Sequence, residues 1–254
     1  MARMIIDLSV PMDVNSKEPS PPRINYEKHD ETVGVAAKYF GIDVSEWPEG
    51  KAWAREDVTL TTHTGTHIDA PWHYWYQTGD QPAKTIDQVP IEWFYGDGVV
   101  LNFTWKAPRE EITAEEIQIE LKRINYTLKA GDIVLIRTDA DKKLFSPEYP
   151  HIHPGMSADA TRYLINQGIK VMGTDGYGWD VPFEVQGEKY KETGDQSILW
   201  ASHYVGKELE YCQIEKLANL DQIPNPTGFT VVAFPIKITG ASGGWARPVA
   251  IIEQ

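Results

Sequence analysis

The sequence predicts an α/β domain with a mixed, barrel-like β-sheet and a few flanking helices. Three patterns carry this reading. Short β-branched and apolar runs recur from the beginning of the chain to its end, only a few segments show helical periodicity, and no repeat, low-complexity tract or long linker divides the whole. Because so few helices cannot cover both faces of a large parallel sheet, a substantial β component must find its own cover. Residues 1–254 are read as a single domain, a length within the range of one large α/β unit.

Taken in order, Met4 to Leu8 reads as an opening strand and the Pro- and Ser-rich stretch Val14 to Asn25 as a loop or lid. Asp57 to Thr62 alternates β-branched with polar residues, as a strand running into the histidine cluster would. Gly98 to Phe103 is a buried strand. Thr113 and Glu116 form a capping box for a helix with Ile117, Leu121 and Ile124 on one stripe. Gly131 to Ile136 is a turn followed by a buried strand. Ser157 caps a second helix that Gly168 stops, and Ile169 to Gly173 returns as a strand ending at Thr174-Asp175. Gln196 to Val205 reads as a third helix, carrying His203, and Gly228 to Ile238 and Arg247 to Ile252 as closing strands.

Composition excludes several classes of function. A formal net charge of −13 argues against nucleic acid, whose binding needs clustered Lys and Arg to displace counterions. The first residues lack a signal-peptide core, and no apolar stretch approaches the ~20 residues a bilayer-spanning helix needs. Cys212 is the sole cysteine, so no intrachain disulfide can form and a reducing compartment fits. The expected protein is cytoplasmic, with neither nucleic acid nor membrane as partner. Its Trp and Tyr content is high, and Trp72, Tyr74, Trp75, Tyr76, Tyr177, Trp179 and Trp245 lie near polar motifs. They either pack the core or wall a pocket for a flat organic substrate.

The chemistry concentrates in His63-Thr64-Gly65-Thr66-His67-Ile68-Asp69-Ala70-Pro71-Trp72-His73. Imidazole nitrogens and a carboxylate together suit Zn²⁺, Mn²⁺ or Fe²⁺. His67 and Asp69 are two apart, so in extended chain they project to one side. Gly65 permits the tight turn that would swing His63 onto the same ion. Two His and one Asp leave coordination positions open, and a divalent cation lowers the pKa of water it binds from ~16 toward ~7. His73, whose charge changes near neutral pH, is the candidate acid/base. That combination points to hydrolysis. A closed structural zinc site would ordinarily use several cysteines. His151 and His153 form a second pair in a Pro-rich loop, read as structural or surface residues, and His29 as a solvated loop residue. His203 and Glu215 carry no local metal pattern by themselves.

The string from His63 to His73 resembles the HxGTHxDxPxH signature of the cyclase family of metal-dependent hydrolases, which includes bacterial kynurenine formamidases and isatin hydrolases. Asp7-Leu8-Ser9 with Pro11, His153-Pro154-Gly155-Met156-Ser157, Gly173-Thr174-Asp175, Ser202-His203 and Glu215 to Leu220 extend the likeness over most of the chain. Gly173 to Phe183 and Gly240 to Trp245 are similar to the isatin-hydrolase-like branch. The resemblance implies a swivelling β/β/α-type fold, a homodimer, and a small-molecule substrate hydrolysed at a ring amide or an N-formyl group. It also implies that His63, His67 and Asp69 hold Mn²⁺ or Zn²⁺, with His73 as acid/base. In the formamidases, counterparts of His203 and Glu215 hold a second ion bridged by Asp69, whereas isatin hydrolases carry one manganese, so one or two ions are open here. The formamidases also place a Trp against substrate in the N-terminal loop, and Asp13 to Asn25 contains none. The leading expectation is opening of a cyclic amide, imide or lactone. An arylformamidase acting on N-formylkynurenine and a non-catalytic metal- or ligand-binding protein are its rivals.

Overall fold

A computed structural model of the chain describes residues 2–253; Met1 and Gln254 lie outside the described residues. In chain order its strands include β1 (Arg3–Asp7), β2 (Arg23–Glu27), β3 (Arg55–Thr59), β4 (His67–Asp69), β5 (Tyr95–Asn102) and β6 (Ile133–Arg137). They continue with β7 (Val171–Thr174), β8 (Cys212–Glu215), β9 (Phe229–Val232), β10 (Gly243–Trp245) and β11 (Val249–Glu253). Among the described residues, nine of these form one mixed sheet in the order β1-β11-β9-β5-β6-β7-β8-β4-β10. The four central strands, β5 to β8, run parallel, and antiparallel strands extend the sheet on both sides.

The parallel strands are buried on both faces, which is why β6 reads as an unbroken Ile-Val-Leu-Ile run and not as an alternation. Val134 and Ile136 point into a core shared with Ile117 and Leu121 of α3 and Leu164 and Ile165 of α4. Here α1 is Val33–Phe40, α2 the short Pro71–Tyr74, α3 Ala114–Arg123, α4 Ala158–Asn166 and α5 Phe183–Thr193. Ile133 and Leu135 face the other way, into a core in which Leu8, Ile68, Ile214, Val231 and Ala250 from the rest of the curled sheet meet. Helices cover one face and the sheet's own curvature covers the other, as the scarcity of helical segments predicts. Among the described residues, no helix is long and apolar enough to cross a membrane.

The caps form as the sequence predicts: Thr113 accepts from Glu116 N while Glu116 reaches back to Thr113 N, and Ser157 accepts from Ala160 N. Other expectations are corrected. The strand read at Asp57 to Thr62 ends at Thr59, and it pairs with β2 in a separate two-stranded ribbon. Beyond it, the Thr61 amide donates to the Thr64 hydroxyl and starts a turn, so the histidine motif enters the main sheet only at His67. Part of the predicted loop, from Arg23 onward, is β2. The helix read over Gln196 to Val205 is two short 3₁₀ turns, Gln196–Ile198 and His203–Lys207. Leu199 is extended and Trp200 has φ +60, which no continuous helix tolerates. The strand read to Ile238 stops at Val232. Helices α1 and α5 have no counterpart in the sequence reading.

Candidate metal centre and substrate cavity

The site is assembled on the far side of the sheet, where β4 lies between β8 and β10. Register places Asp69 opposite Gln213 and His67 opposite Glu215 on β8. Alternation along each strand therefore sends His67, Asp69, Gln213 and Glu215 to one face. Gly65 turns at φ +64, the left-handed conformation the sequence reading requires, and brings His63 back over the strand. A β-carbon on Gly243, opposite Asp69 on β10, would lie 3.0 Å from the His63 ring, so glycine there gives the imidazole its place.

Asp69 is fully buried and is the hub. Its Oδ1 lies 2.7 Å from His63 Nδ1 and 3.2 Å from His67 Nε2. Its Oδ2 lies 3.9 Å from His73 Nε2 and 3.8 Å from His203 Nε2. Burial alone would raise the pKa of Asp69, and the surrounding imidazoles hold it well below the usual carboxylate range. Two triads that share Asp69 have ligand atoms mutually within 4.8 Å: His63, Asp69 and His73, and His67, Asp69 and Glu215. The six residues singled out in the sequence thus meet at one place, His203 and Glu215 included.

The donor set fits a cation. His67 Nδ1 donates to the Gly65 carbonyl at 2.9 Å, so in the neutral ring Nε2 is the nitrogen that offers a lone pair. That nitrogen is buried and has no hydrogen-bond partner among the described residues, yet it faces Asp69 Oδ1 and, at 3.7 Å, Glu215 Oε2. A lone pair confronting two carboxylates is unfavourable unless a positive charge sits between them. His203 is oriented in the same manner. Its Nδ1 pairs with the Asp180 carboxylate, which makes the imidazole more basic against the opposing effect of burial.

Around this hub is a cavity of about 260 Å³, lined by His63, His73, His153, Tyr177, Trp200 and Glu215 among others. That volume suits a small substrate and is below the common range for drug-sized ligands. Trp200 lies flat on the His203 ring at 4.4 Å and edge-on to His73 at 5.1 Å. Of the aromatics noted in the sequence, Tyr177 and Trp179 reach the cavity, while Tyr74 stacks on Tyr211 beneath the site and Trp72, Trp75 and Tyr76 are largely exposed. Burial pushes His73 down to about 4, so its imidazole is neutral at physiological pH.

Several participants escape the sequence reading. Gln213 sits two residues before Glu215, and that i, i+2 spacing on a strand is the signal that could have found it. Ser242 contacts His63 Nε2 at 3.0 Å. Lys216, held at φ +59, donates to the His63 carbonyl and pairs with buried Glu18, which also accepts from Gly65 N; together they lock the N-terminal loop onto the His63–His67 turn.

His153, read as structural or surface, is buried at the cavity wall, while its neighbour His151 is exposed and pairs with Glu184. Burial pushes His153 down to about 4 from 6.5, so the folded state holds fewer protons than the unfolded chain between those values. Stability is therefore complete above pH 6.5 and falls as pH drops toward 4, by on the order of 3 kcal/mol for this group. Urea titrations at several pH values will show His153→Gln losing about one proton's worth of that slope. An unchanged slope would mean that His153 is not buried in its neutral form.

The likeness to known proteins runs the length of the site. The family described as "Putative cyclase" matches residues 6–181. The chain is 25% identical over 221 residues to a kynurenine formamidase of Bacillus cereus, covering 82% of this chain and 91% of that protein. It is 26% identical over 222 residues to an isatin hydrolase of Roseibium aggregatum, covering 83% of this chain and 80% of that one. Among solved structures, isatin hydrolase A from Labrenzia aggregata, with benzyl benzoate bound, superposes with TM-score 0.75 at 26% identity over 99% of this chain and 94% of its own. The match takes in the end of β1, the whole His63-to-His73 motif and the cavity wall as far as Val181, and the chain belongs to the cyclase family of hydrolases.

Proposed function

We propose that the protein is a metal-dependent amidohydrolase that opens a cyclic amide, a keto-lactam of the isatin kind or a related imide or lactone. The observation that supports this reading best is the bare, buried Nε2 of His67 facing two carboxylates at the floor of a small aromatic cavity. His63, His67 and Asp69 would hold Mn²⁺ or Zn²⁺, with Glu215 beside them, and the ion would supply Lewis acidity toward a carbonyl and a nucleophilic water at neutral pH.

The chain's own residues do the rest. His73, neutral and facing the cavity, accepts the proton that water loses on adding to the carbonyl carbon. It returns that proton to the ring nitrogen as the C–N bond breaks, so water is added across the bond with no other reactant. Trp200 and Tyr177 flank a flat substrate, and the ring-on-ring contact of Trp200 with His203 limits how it can tilt. The cyclic substrate is favoured over an N-formyl group because Tyr177 to Phe183, the segment similar to the isatin-hydrolase branch, forms one wall of the cavity. The N-terminal loop, in addition, offers no Trp.

Parallel assays of the Mn²⁺- and Zn²⁺-loaded protein with isatin, N-formylkynurenine and a set of lactams and imides test the reading. Ring opening is expected at least ~10-fold above deformylation in kcat/KM, about 1.4 kcal/mol of discrimination. Faster deformylation would replace the reading with the arylformamidase one. A loaded protein that consumes none of these compounds would be a binding protein.

A further inference from the structure

Asp69 and Glu215 each present one oxygen to the His67 side of the centre and one to the His203 side. On the His203 side, Asp69 Oδ2, Glu215 Oε1 and His203 Nε2 converge on a common point. That point is taken. The side-chain nitrogen of Gln213 donates to Asp69 Oδ2 at 3.0 Å and to Glu215 Oε1 at 3.1 Å, and lies 2.6 Å from His203 Nε2. Its amide oxygen is turned away, 3.2 Å from the Tyr211 hydroxyl. The residue is fully buried, and strand register holds it directly across from Asp69.

We propose that the Gln213 amide fills the second half of the centre, so that the protein holds one divalent cation per chain, on the His63, His67 and Asp69 side. This inference rests on the metal-dependent reading above. Two buried carboxylate oxygens facing each other need something positive between them, either a cation or N–H groups. A primary amide brings two N–H groups and no charge, which satisfies both oxygens without an ion. An ion bound by the same three groups would need ligand distances of ~2.0–2.2 Å, hence the space that the amide nitrogen occupies. With the amide nitrogen in that place a second cation has no room, and the Tyr211 hydroxyl, donating to the amide oxygen, keeps the nitrogen turned toward the carboxylates.

Elemental analysis of protein equilibrated with Mn²⁺ or Zn²⁺ and desalted tests this directly. The wild type is expected to hold one ion per chain. Gln213→Ala, which opens the space, and the isosteric Gln213→Glu, which adds a ligand oxygen, are each expected to hold two. Thermal melts establish that the variants fold, and Gln213→Glu carries the test should the alanine variant not fold. Two ions in the wild type, one in both folded variants, or loss of the single ion from Gln213→Ala would each overturn the proposal. No ion in the wild type would instead overturn the metal reading itself, a separate outcome.

Discussion

An Asp69→Ala variant will be purified without a divalent cation and will turn over no amide substrate. Asp69 is the carboxylate that all four neighbouring imidazoles approach, and it is fully buried. Its loss removes the one anion that offsets a cation beside both His63 and His67, and it strands the Gln213 amide with a missing acceptor. Deleting a partner that merely orients a ligand typically costs 10–100-fold in metal affinity, so losing the hub should cost more than ~10²-fold. The isosteric Asp69→Asn separates charge from shape: it keeps the packing of β4 and should still lose the ion. Elemental analysis beside circular dichroism reads both effects. A folded Asp69→Asn protein with its full complement of metal would remove Asp69 from the centre.

Replacing His73 by Ala should leave the ion in place and lower kcat by ~10²–10⁴-fold, the range for a positioned proton carrier. His73 lies on the one-turn helix α2, whose Pro71 fixes the approach, and it faces the cavity alongside His63 with ring centroids 4.1 Å apart. Its 3.9 Å separation from Asp69 Oδ2 is too long for a hydrogen bond, so it is free to exchange protons with substrate. KM should change less than kcat, because removing a group that acts in the transition state spares ground-state binding. Full activity in His73→Ala removes the role, and loss of metal reassigns the residue to the ligand set.

What was legible in the sequence was legible for local reasons. His63, His67, Asp69 and His73 lie close along the chain, and strand alternation with the Gly65 turn suffices to bring three of them together. The Thr113 and Ser157 caps are equally local. What was not legible depends on pairing between distant segments. Gln213 and Ser242 reach the centre because β8 and β10 flank β4; the i, i+2 spacing puts Gln213 on the face of Glu215, but no pattern within the strand reveals that β4 is its neighbour. Helix α5 leaves little trace in the sequence because only Val185 and Gln186 of its residues are buried, too thin a stripe to show helical periodicity. The supposed helix at Gln196 to Val205 had an adequate pattern, and tertiary structure overrode it: Gln186 binds the Trp200 amide at 2.6 Å and holds that residue left-handed against His203.

The position of β4 also bears on when the protein becomes competent. Among the described residues this three-residue strand, carrying two of the candidate ligands, pairs in the sheet with two strands that leave the ribosome about 145 and 175 residues later. A nascent chain that has just emitted His73 has the ligands but no scaffold to aim them. Assembly of the candidate ligands therefore belongs to a late stage of folding, and a chain cut short before Cys212 would have the histidine motif without either strand that flanks it.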